Sequence, residues 1–182
     1  MRYFGCMLLR RRLAATLLVL GFVGLTSNAV AQPSMAYYLK MPEVHNYRLT
    51  EPKLQAYDRI ERRILSAKPS DPLVKAMLQK PPEHASLNVL EKSLEKTPLK
   101  PLIEGNGMTI REWFMVPIIL RGAAAADSYY EKTRQLPGGI VSIENLTFYV
   151  NHKSEVTKMM SDWSDLMAKQ EQAVDKAGLR KH

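Results

Sequence analysis

The sequence predicts an all-α protein, built as an irregular bundle of five or six helices with proline-rich connections. Three observations support this class. Apolar residues recur at helical spacing through most of the chain after residue 50. Prolines and capping residues divide the chain into segments of helical length, and no alternating strand pattern persists beyond four or five residues. The most apolar segment, which follows Thr109, is expected to form a central buried helix that is kinked at Pro117.

The first thirty residues have the organisation of a cleavable export signal. Arg2 and the arginines at 10–12 precede an uncharged run over 13–25, and Ala29 and Ala31 form an A-x-A cleavage site. The run of about thirteen apolar residues is shorter than the roughly twenty that cross a bilayer as a helix. We therefore predict a signal peptide with cleavage after Ala31, and treat an uncleaved membrane anchor as the alternative.

The predicted mature chain fits one domain. We divide it into an irregular N-terminal arm over residues 32–49 and a single helical domain over 50–182, with a polar, frayed C-terminal tail. Removing residues 1–31 takes away four arginines and no acidic residue, which lowers the net charge from +8 to +4. The remaining basic residues are interspersed with acidic ones, a pattern typical of solvated helix faces rather than of nucleic-acid binding.

Cysteine usage limits both the compartment and the chemistry. The only cysteine, Cys6, lies within the predicted signal, so the mature chain has none. Small secreted animal domains usually depend on disulfides, so a cysteine-free exported chain favours a bacterial periplasm. The same absence excludes covalent haem c attachment, iron–sulfur ligation and thiol catalysis in the mature chain, because each needs a cysteine sulfur.

Three helices are predicted in the first half of the domain. Thr50 is a suitable N-cap for a helix that continues at least to Ile64, with Glu51 and Pro52 in its first turn. Ser70 is the expected cap of a short helix over 71–79. A third helix over 83–96 has leucines along one stripe at positions Leu87, Leu90 and Leu94.

The strongest local signal lies in the middle of the chain. Thr109 and Glu112 have the spacing of a capping box, in which each side chain binds the other residue's backbone N–H. The helix that they open is expected to extend from Ile110 to about Arg134. Upstream, the prolines at 97–101 and the glycines at 105–107 interrupt the chain and leave room for one short helical turn between them.

The C-terminal part predicts two further helices. Residues 136–139 form a loop, and Ser142 is the expected cap of a helix that ends at a polar break over 151–153. A long amphipathic helix starts at Ser154, with apolar residues at Val156, Met159, Met160, Trp163, Leu166 and Met167. From Ala168 onward the sequence is polar enough to fray.

No catalytic, cofactor-binding or metal-ligating residue is predicted in this chain. The sequence lacks a phosphate-binding glycine loop, a nucleophile elbow and a zinc-protease motif. No histidine lies four residues from another, so surface positions are expected for His45, His84, His152 and His182. Methionines of the last helix could bind copper through their thioethers, but their helical spacing favours core packing. Asn145 begins an N-x-T glycosylation sequon, which matters only in a eukaryotic secretory host.

Three segments carry a resemblance to known proteins: LKPLIE at residues 99–104, TIREW at 109–113 and AAAA at 123–126. Together with the export signal and the cysteine-free helical layout, they resemble small helical periplasmic proteins of proteobacteria. The chain is also similar to the small third subunit of the membrane-bound quinohaemoprotein alcohol dehydrogenase of acetic acid bacteria. That resemblance implies a subunit without its own cofactor that helps a subunit carrying pyrroloquinoline quinone (PQQ) and haem c to assemble, beside a cytochrome c subunit.

The functional hypothesis is a non-catalytic periplasmic accessory subunit that docks on a larger membrane-associated oxidoreductase. Repeated proline breaks over residues 69–101 give stiff, extended connections that suit contact with a partner. Aromatic residues dominate interface hot spots, so we expect Tyr37, Tyr38, Tyr47 and Trp163 to contact the partner. The alternative is a free-standing periplasmic binding or stress protein that holds an apolar ligand or chain between its helices near Pro117.

Overall fold

The computed structural model describes residues 35–78, 85–136, 138 and 141–178. Over these ranges the chain forms nine α-helices and no β-strand, which confirms the all-α class. The predicted signal peptide lies outside the described residues, and no helix within them is both long and apolar enough to cross a membrane. The helices are α1 (Met35–Leu39), α2 (Pro42–Asn46), α3 (Glu51–Leu65), α4 (Pro72–Met77), α5 (Leu87–Leu94), α6 (Leu99–Gly105), α7 (Ile110–Thr133), α8 (Ile143–Asn151) and α9 (Lys153–Lys176).

Helix α7 is the centre of the fold and packs against α1, α2, α3, α5, α6 and α8. The predicted capping box is present at its start. The Thr109 hydroxyl accepts a hydrogen bond from the Glu112 N–H at 3.1 Å, and the Thr109 N–H donates to Glu112 Oε2 at 2.8 Å. The helix continues through Pro117 without a break, and the kink that this proline predicts stays a prediction. Its central position and its bounds, predicted from the sequence, are confirmed.

The main hydrophobic core lies between α3, α6, α7 and α9. Helix α3 has a strong apolar stripe, and that stripe is directed into this core. The side chains that are almost completely buried there come from all four helices: Leu54, Ile60, Ile64, Leu99, Ile103, Val116, Leu120, Val156 and Trp163.

A second core forms where α1, α2 and α5 cover α7. Leu39 and Val44 of the N-terminal arm pack there with Met115, Ile118 and Ile119 of α7. The leucine stripe predicted on α5 is buried, with Leu87 and Leu90 in this second core and Leu94 in the main one.

The number of helices exceeds the prediction of five or six. The three additional helices are α1, α2 and α6, which have five to seven residues each. Helix α6 occupies the place where the sequence left room for a short turn. The N-terminal arm, predicted to be irregular over 32–49, contains α1 and α2. Such helices span fewer than two turns, so they show no apolar periodicity, and packing on α7 stabilises them.

Several predicted helix starts need correction. The cap of α4 is Asp71 rather than Ser70, because Asp71 Oδ1 accepts a hydrogen bond from the Leu73 N–H at 2.9 Å. The helix predicted over 83–96 is the shorter α5, which Ser86 caps by accepting from the Val89 N–H. Thr50 occupies the N-cap position of α3, but its side chain makes no capping hydrogen bond.

The C-terminal tail is more ordered than predicted. We expected fraying from Ala168 onward, but α9 continues to Lys176. Gln170 and Val174 are buried there, and Gln170 Nε2 donates to the Ile64 carbonyl oxygen at 2.8 Å. Carbonyl groups in the last turn of a helix lack partners within that helix. The buried amide therefore binds the end of α3 and holds the final turns of α9 against the body.

Arg134 offers a test of the end of α7. It is the C-cap residue and has a φ angle of 60°, a left-handed conformation that is strained for residues with a Cβ atom. We expect Arg134→Gly to raise the free energy of unfolding by about 0.5–1 kcal/mol, because glycine adopts this conformation without strain. Urea denaturation measures the change. Arg134→Ala is the matched control, since it removes the charge but keeps the strain, and equal stability of the two variants would contradict the interpretation.

Candidate functional site

The arm tyrosines do not form one partner-facing surface. Tyr38 is partly buried, and its hydroxyl donates to the Ala85 carbonyl oxygen at 3.3 Å. The hydroxyl of Tyr47 donates to Glu112 Oε1 at 3.5 Å, at the capping box of α7. Burial, followed by the charge of Glu112, raises the pKa of Tyr47. Tyr37 is different, because 46% of it is exposed. Two of the three tyrosines therefore attach the arm to its own chain, and Tyr37 faces solvent.

A buried asparagine completes the attachment of the arm. Asn145 of α8 is 1% exposed, and its Oδ1 accepts a hydrogen bond from the Leu49 N–H at 2.8 Å. Its Nδ2 donates to the Tyr47 carbonyl oxygen at 2.7 Å. One side chain thus satisfies a donor and an acceptor of the arm's backbone. This amide is also the acceptor nitrogen of the N-x-T sequon, and here it points into the molecule.

Trp163, predicted as a partner contact, lies inside the protein. It is 1% exposed and packs edge-to-face on Tyr57 with 5.3 Å between ring centroids. Its indole Nε1 donates to Asp58 Oδ1 at 2.8 Å. Because both of these residues belong to α3, Trp163 joins α9 to α3 and is not available to a partner.

The described histidines lie at or near the surface, and the methionines of α9 pack in the core. His45 is exposed on α2, whereas His152 stacks on Phe148 at 4.4 Å and lies 3.2 Å from Glu155; His84 and His182 lie outside the described residues. Among the described residues, no group of three or more histidine, cysteine, aspartate or glutamate side chains could hold a metal ion. The predicted core packing of the methionines of α9 is confirmed by Met159, Met160 and Met167, all of which pack in or against the main core.

Exposed apolar side chains concentrate around the end of α7 and the outer face of α8. Seven large apolar residues are exposed in the described part of the chain, and five of them lie in this region. Four of these five line a groove of about 270 Å³ between the two helices. We call this surface the α7–α8 patch and define it by the apolar residues that line the groove: Tyr130, Leu136, Ile143, Leu146 and Val150.

Ion pairs hold one end of the groove. Lys153, the first residue of α9, binds Asp127 at 2.7 Å and Glu131 at 2.6 Å, so it joins α9 to the last turns of α7. The pKa of Lys153 is raised by the hydrogen bonds that its ammonium group donates to these two carboxylates. Beyond Val150 a second, wider depression of about 720 Å³ continues along α9. The rim charges are thus paired within the chain, and the centre of the patch offers mainly apolar contact, which is the usual organisation of a protein interface.

The comparisons with known proteins supply no relative. No protein-family model, curated protein or solved structure matches this chain.

Neither the α7–α8 patch nor the role of Asn145 was predicted from the sequence. A signal for both was present in the nine residues of α8. Asn145 and Tyr149 are four residues apart and face inward, whereas Ile143, Leu146 and Val150 follow the spacing of a second helical stripe. The apolar residues of this short helix therefore lie on two faces. The inner contact is visible in the structure, and the outer face is exposed.

Asn145 is the residue to test for attachment of the arm. Asn145→Ala would leave the Leu49 N–H and the Tyr47 carbonyl buried without partners, and each such group costs about 1–3 kcal/mol. We expect the free energy of unfolding to fall by about 2–4 kcal/mol. Amide hydrogen exchange over residues 35–49 should also accelerate. Asn151→Ala, an exposed asparagine of the same helix, is the control, and equal exchange in both variants would exclude the proposed attachment.

Proposed function

We propose that this chain is a non-catalytic periplasmic accessory subunit, which docks on a larger membrane-associated oxidoreductase and stabilises it. The α7–α8 patch is the docking surface. The observation that carries this proposal is the concentration of exposed aliphatic and aromatic side chains around one groove. Leu136 and Ile143 are 57% and 72% exposed, and contact with another molecule would bury most of that area.

The arm has a different role in this proposal from the one expected from the sequence. Tyr38, Tyr47 and Asn145 hold it against the body through hydrogen bonds, so it supports the fold. Of the three arm tyrosines, Tyr37 remains exposed to a partner. The principal contacts move to α7, α8 and Leu136 just after α7, and Tyr130, Ile143 and Val150 lie on regular helices anchored to the core. Rigid elements of this kind suit binding, because little side-chain and loop entropy is lost on association.

The partner that we propose is the quinohaemoprotein alcohol dehydrogenase named by the sequence resemblance. In such a complex, the large subunit would bind PQQ and haem c and would oxidise ethanol. A cytochrome c subunit would carry further haem. This chain would contribute apolar contact area and would remain peripheral to the membrane through its partners. The absence of cysteine from the mature sequence is consistent with this division of roles, since covalent haem c attachment requires cysteine.

The groove itself favours one alternative function, a free-standing periplasmic binding or stress protein. A volume of about 270 Å³ is close to the lower limit of small-molecule sites, and its lining is largely apolar. The place differs from the one first expected near Pro117, because Val116, Ile118 and Ile119 around that proline are buried in the two cores. An apolar ligand or an exposed peptide segment would instead lie between Tyr130 and α8.

A pull-down from native membranes in mild detergent tests the docking proposal. The tagged protein should recover a large quinoprotein, identified by mass spectrometry, and haem bands in the absorption spectrum of the eluate. Leu136→Glu combined with Ile143→Glu should reduce recovery at least tenfold, because burial of one such side chain contributes about 1.5–3 kcal/mol and each 1.4 kcal/mol is a factor of ten.

The matched control is Val89→Glu on α5. Val89 is 41% exposed, lies outside the patch and, like Ile143, is in the first turn of its helix, where an acidic residue is tolerated. Recovery with this variant should equal that of the unmodified protein. Equal loss with both variants would remove the patch from the proposal. A colourless eluate that contains this chain alone would contradict the accessory-subunit function and favour the free-standing binding protein.

A further inference from the structure

The carboxyl group of Glu61 is buried in the core between α3 and α7. Glu61 is far in sequence from the residues of the α7–α8 patch. Glu61 is 6% exposed, and its Oε1 accepts a hydrogen bond from the indole Nε1 of Trp113 at 2.9 Å. Trp113 is itself 6% exposed and lies in the first turns of α7. Glu61 therefore joins the middle of α3 to the start of the central helix through one buried polar contact.

Aromatic side chains surround the polar atoms of this carboxyl group. Tyr57, one turn earlier on α3, is 3% exposed and also hydrogen-bonds to Glu61. The Trp113 indole can only donate, so Oε1 must remain an acceptor in either protonation state. The Tyr57 hydroxyl can donate or accept. A neutral Glu61 can therefore keep its hydrogen bond from Trp113.

No positive charge compensates Glu61 within the described chain. Asp58 on α3 acts on it electrostatically, and its negative charge disfavours ionisation of Glu61. Arg121 on α7 acts on Tyr57, and its Nη2 is buried without a hydrogen-bond partner. Arg62 is engaged with Asp58 and Asp162 at 2.9 and 2.8 Å. An ionised Glu61 would thus be a buried charge held by two neutral donors, which is costly in a protein core.

We propose that Glu61 is a pH-responsive joint between α3 and α7, neutral and firmly packed in mildly acidic surroundings and weakened by ionisation as the pH rises. The periplasm exchanges small ions with the medium, so a joint of this kind would make the packing of α7 respond to external pH. The proposal does not depend on the α7–α8 patch or on the identity of a partner.

The direction of the pH dependence follows from the pKa. Burial raises the pKa of Glu61 to about 7, although the hydrogen bonds from Trp113 and Tyr57 oppose the shift, and Asp58 adds to it. The folded state then binds this proton more tightly than the unfolded state does. Its contribution to stability is complete below the unfolded pKa and is lost as the pH rises through the folded value. Between pH 5 and pH 8 the unfolding equilibrium constant should rise by up to roughly two orders of magnitude from this group.

The experiment compares urea unfolding of the full mature chain with that of two variants across pH 5 to 8. Glu61→Gln keeps an acceptor for Trp113 and a neutral amide beside Tyr57, so it should remove the slope due to this group. Glu104→Gln changes an exposed carboxylate on α6 and should leave the slope unchanged. All other side chains are common to the variants and the unmodified protein, so their contributions cancel in the comparison.

A second measurement observes the carboxyl group directly in the unmodified protein. Carbon-13 NMR of side-chain-labelled glutamate should show one carboxyl carbon that titrates near pH 7, and that signal should be absent from Glu61→Gln. Exchange of the Trp113 indole N–H should accelerate over the same pH interval by more than the intrinsic base-catalysed rate, and this excess should be absent from Glu61→Gln. A Glu61 midpoint near that of the exposed glutamates would overturn the proposal, even if Glu61→Gln fails to fold. An equal pH slope in Glu61→Gln and the unmodified protein would overturn it as well.

Discussion

Helix α7 is apolar around most of its circumference, and burial of this helix is the constraint that organises the molecule. Helices α3 and α6 cover one side, and α1, α2 and α5 cover another. This need for cover explains why five-residue helices persist in the arm, since α7 supplies the contact area that they lack alone. The cover ends at the last turns of α7, where Tyr130 is exposed and the α7–α8 patch begins.

Three buried polar side chains act at points where distant segments meet. Asn145 binds the arm's backbone, Gln170 binds the end of α3, and Glu61 binds Trp113 at the start of α7. Apolar packing is tolerant of small shifts, whereas a buried polar group costs free energy unless its partner is correctly placed. These contacts therefore select one register for the arm, for α9 and for α3 against α7. Only Glu61 among them can change its charge, which separates it from the two amides.

The two faces of α8 connect the fold to the proposed function. Its inner face, with Asn145 and Tyr149, is part of the body, and its outer face carries Ile143 and Val150 into solvent. Lys153 fixes the junction between α8 and α9 by pairing with two carboxylates of α7. The outer face is thus presented on a rigid support with its charges already paired. A partner can bury it without having to neutralise a free charge.

The sequence by itself determined the features that depend on neighbouring residues: the all-α class, the capping box at Thr109 and Glu112, the Ser142 cap and the leucine stripe of α5. Tertiary structure decided the rest. Trp163 lies in the core, where its indole donates a hydrogen bond to Asp58. Gln170 keeps the polar tail ordered by donating a hydrogen bond to the Ile64 carbonyl. Each partner is about one hundred residues away in sequence. Exposure of Ile143 was decided in the same way, because an apolar residue on a short helix is buried only if another element covers it. The sequence pattern of a helix shows which residues share a face. Which element covers that face depends on how the helices pack in three dimensions.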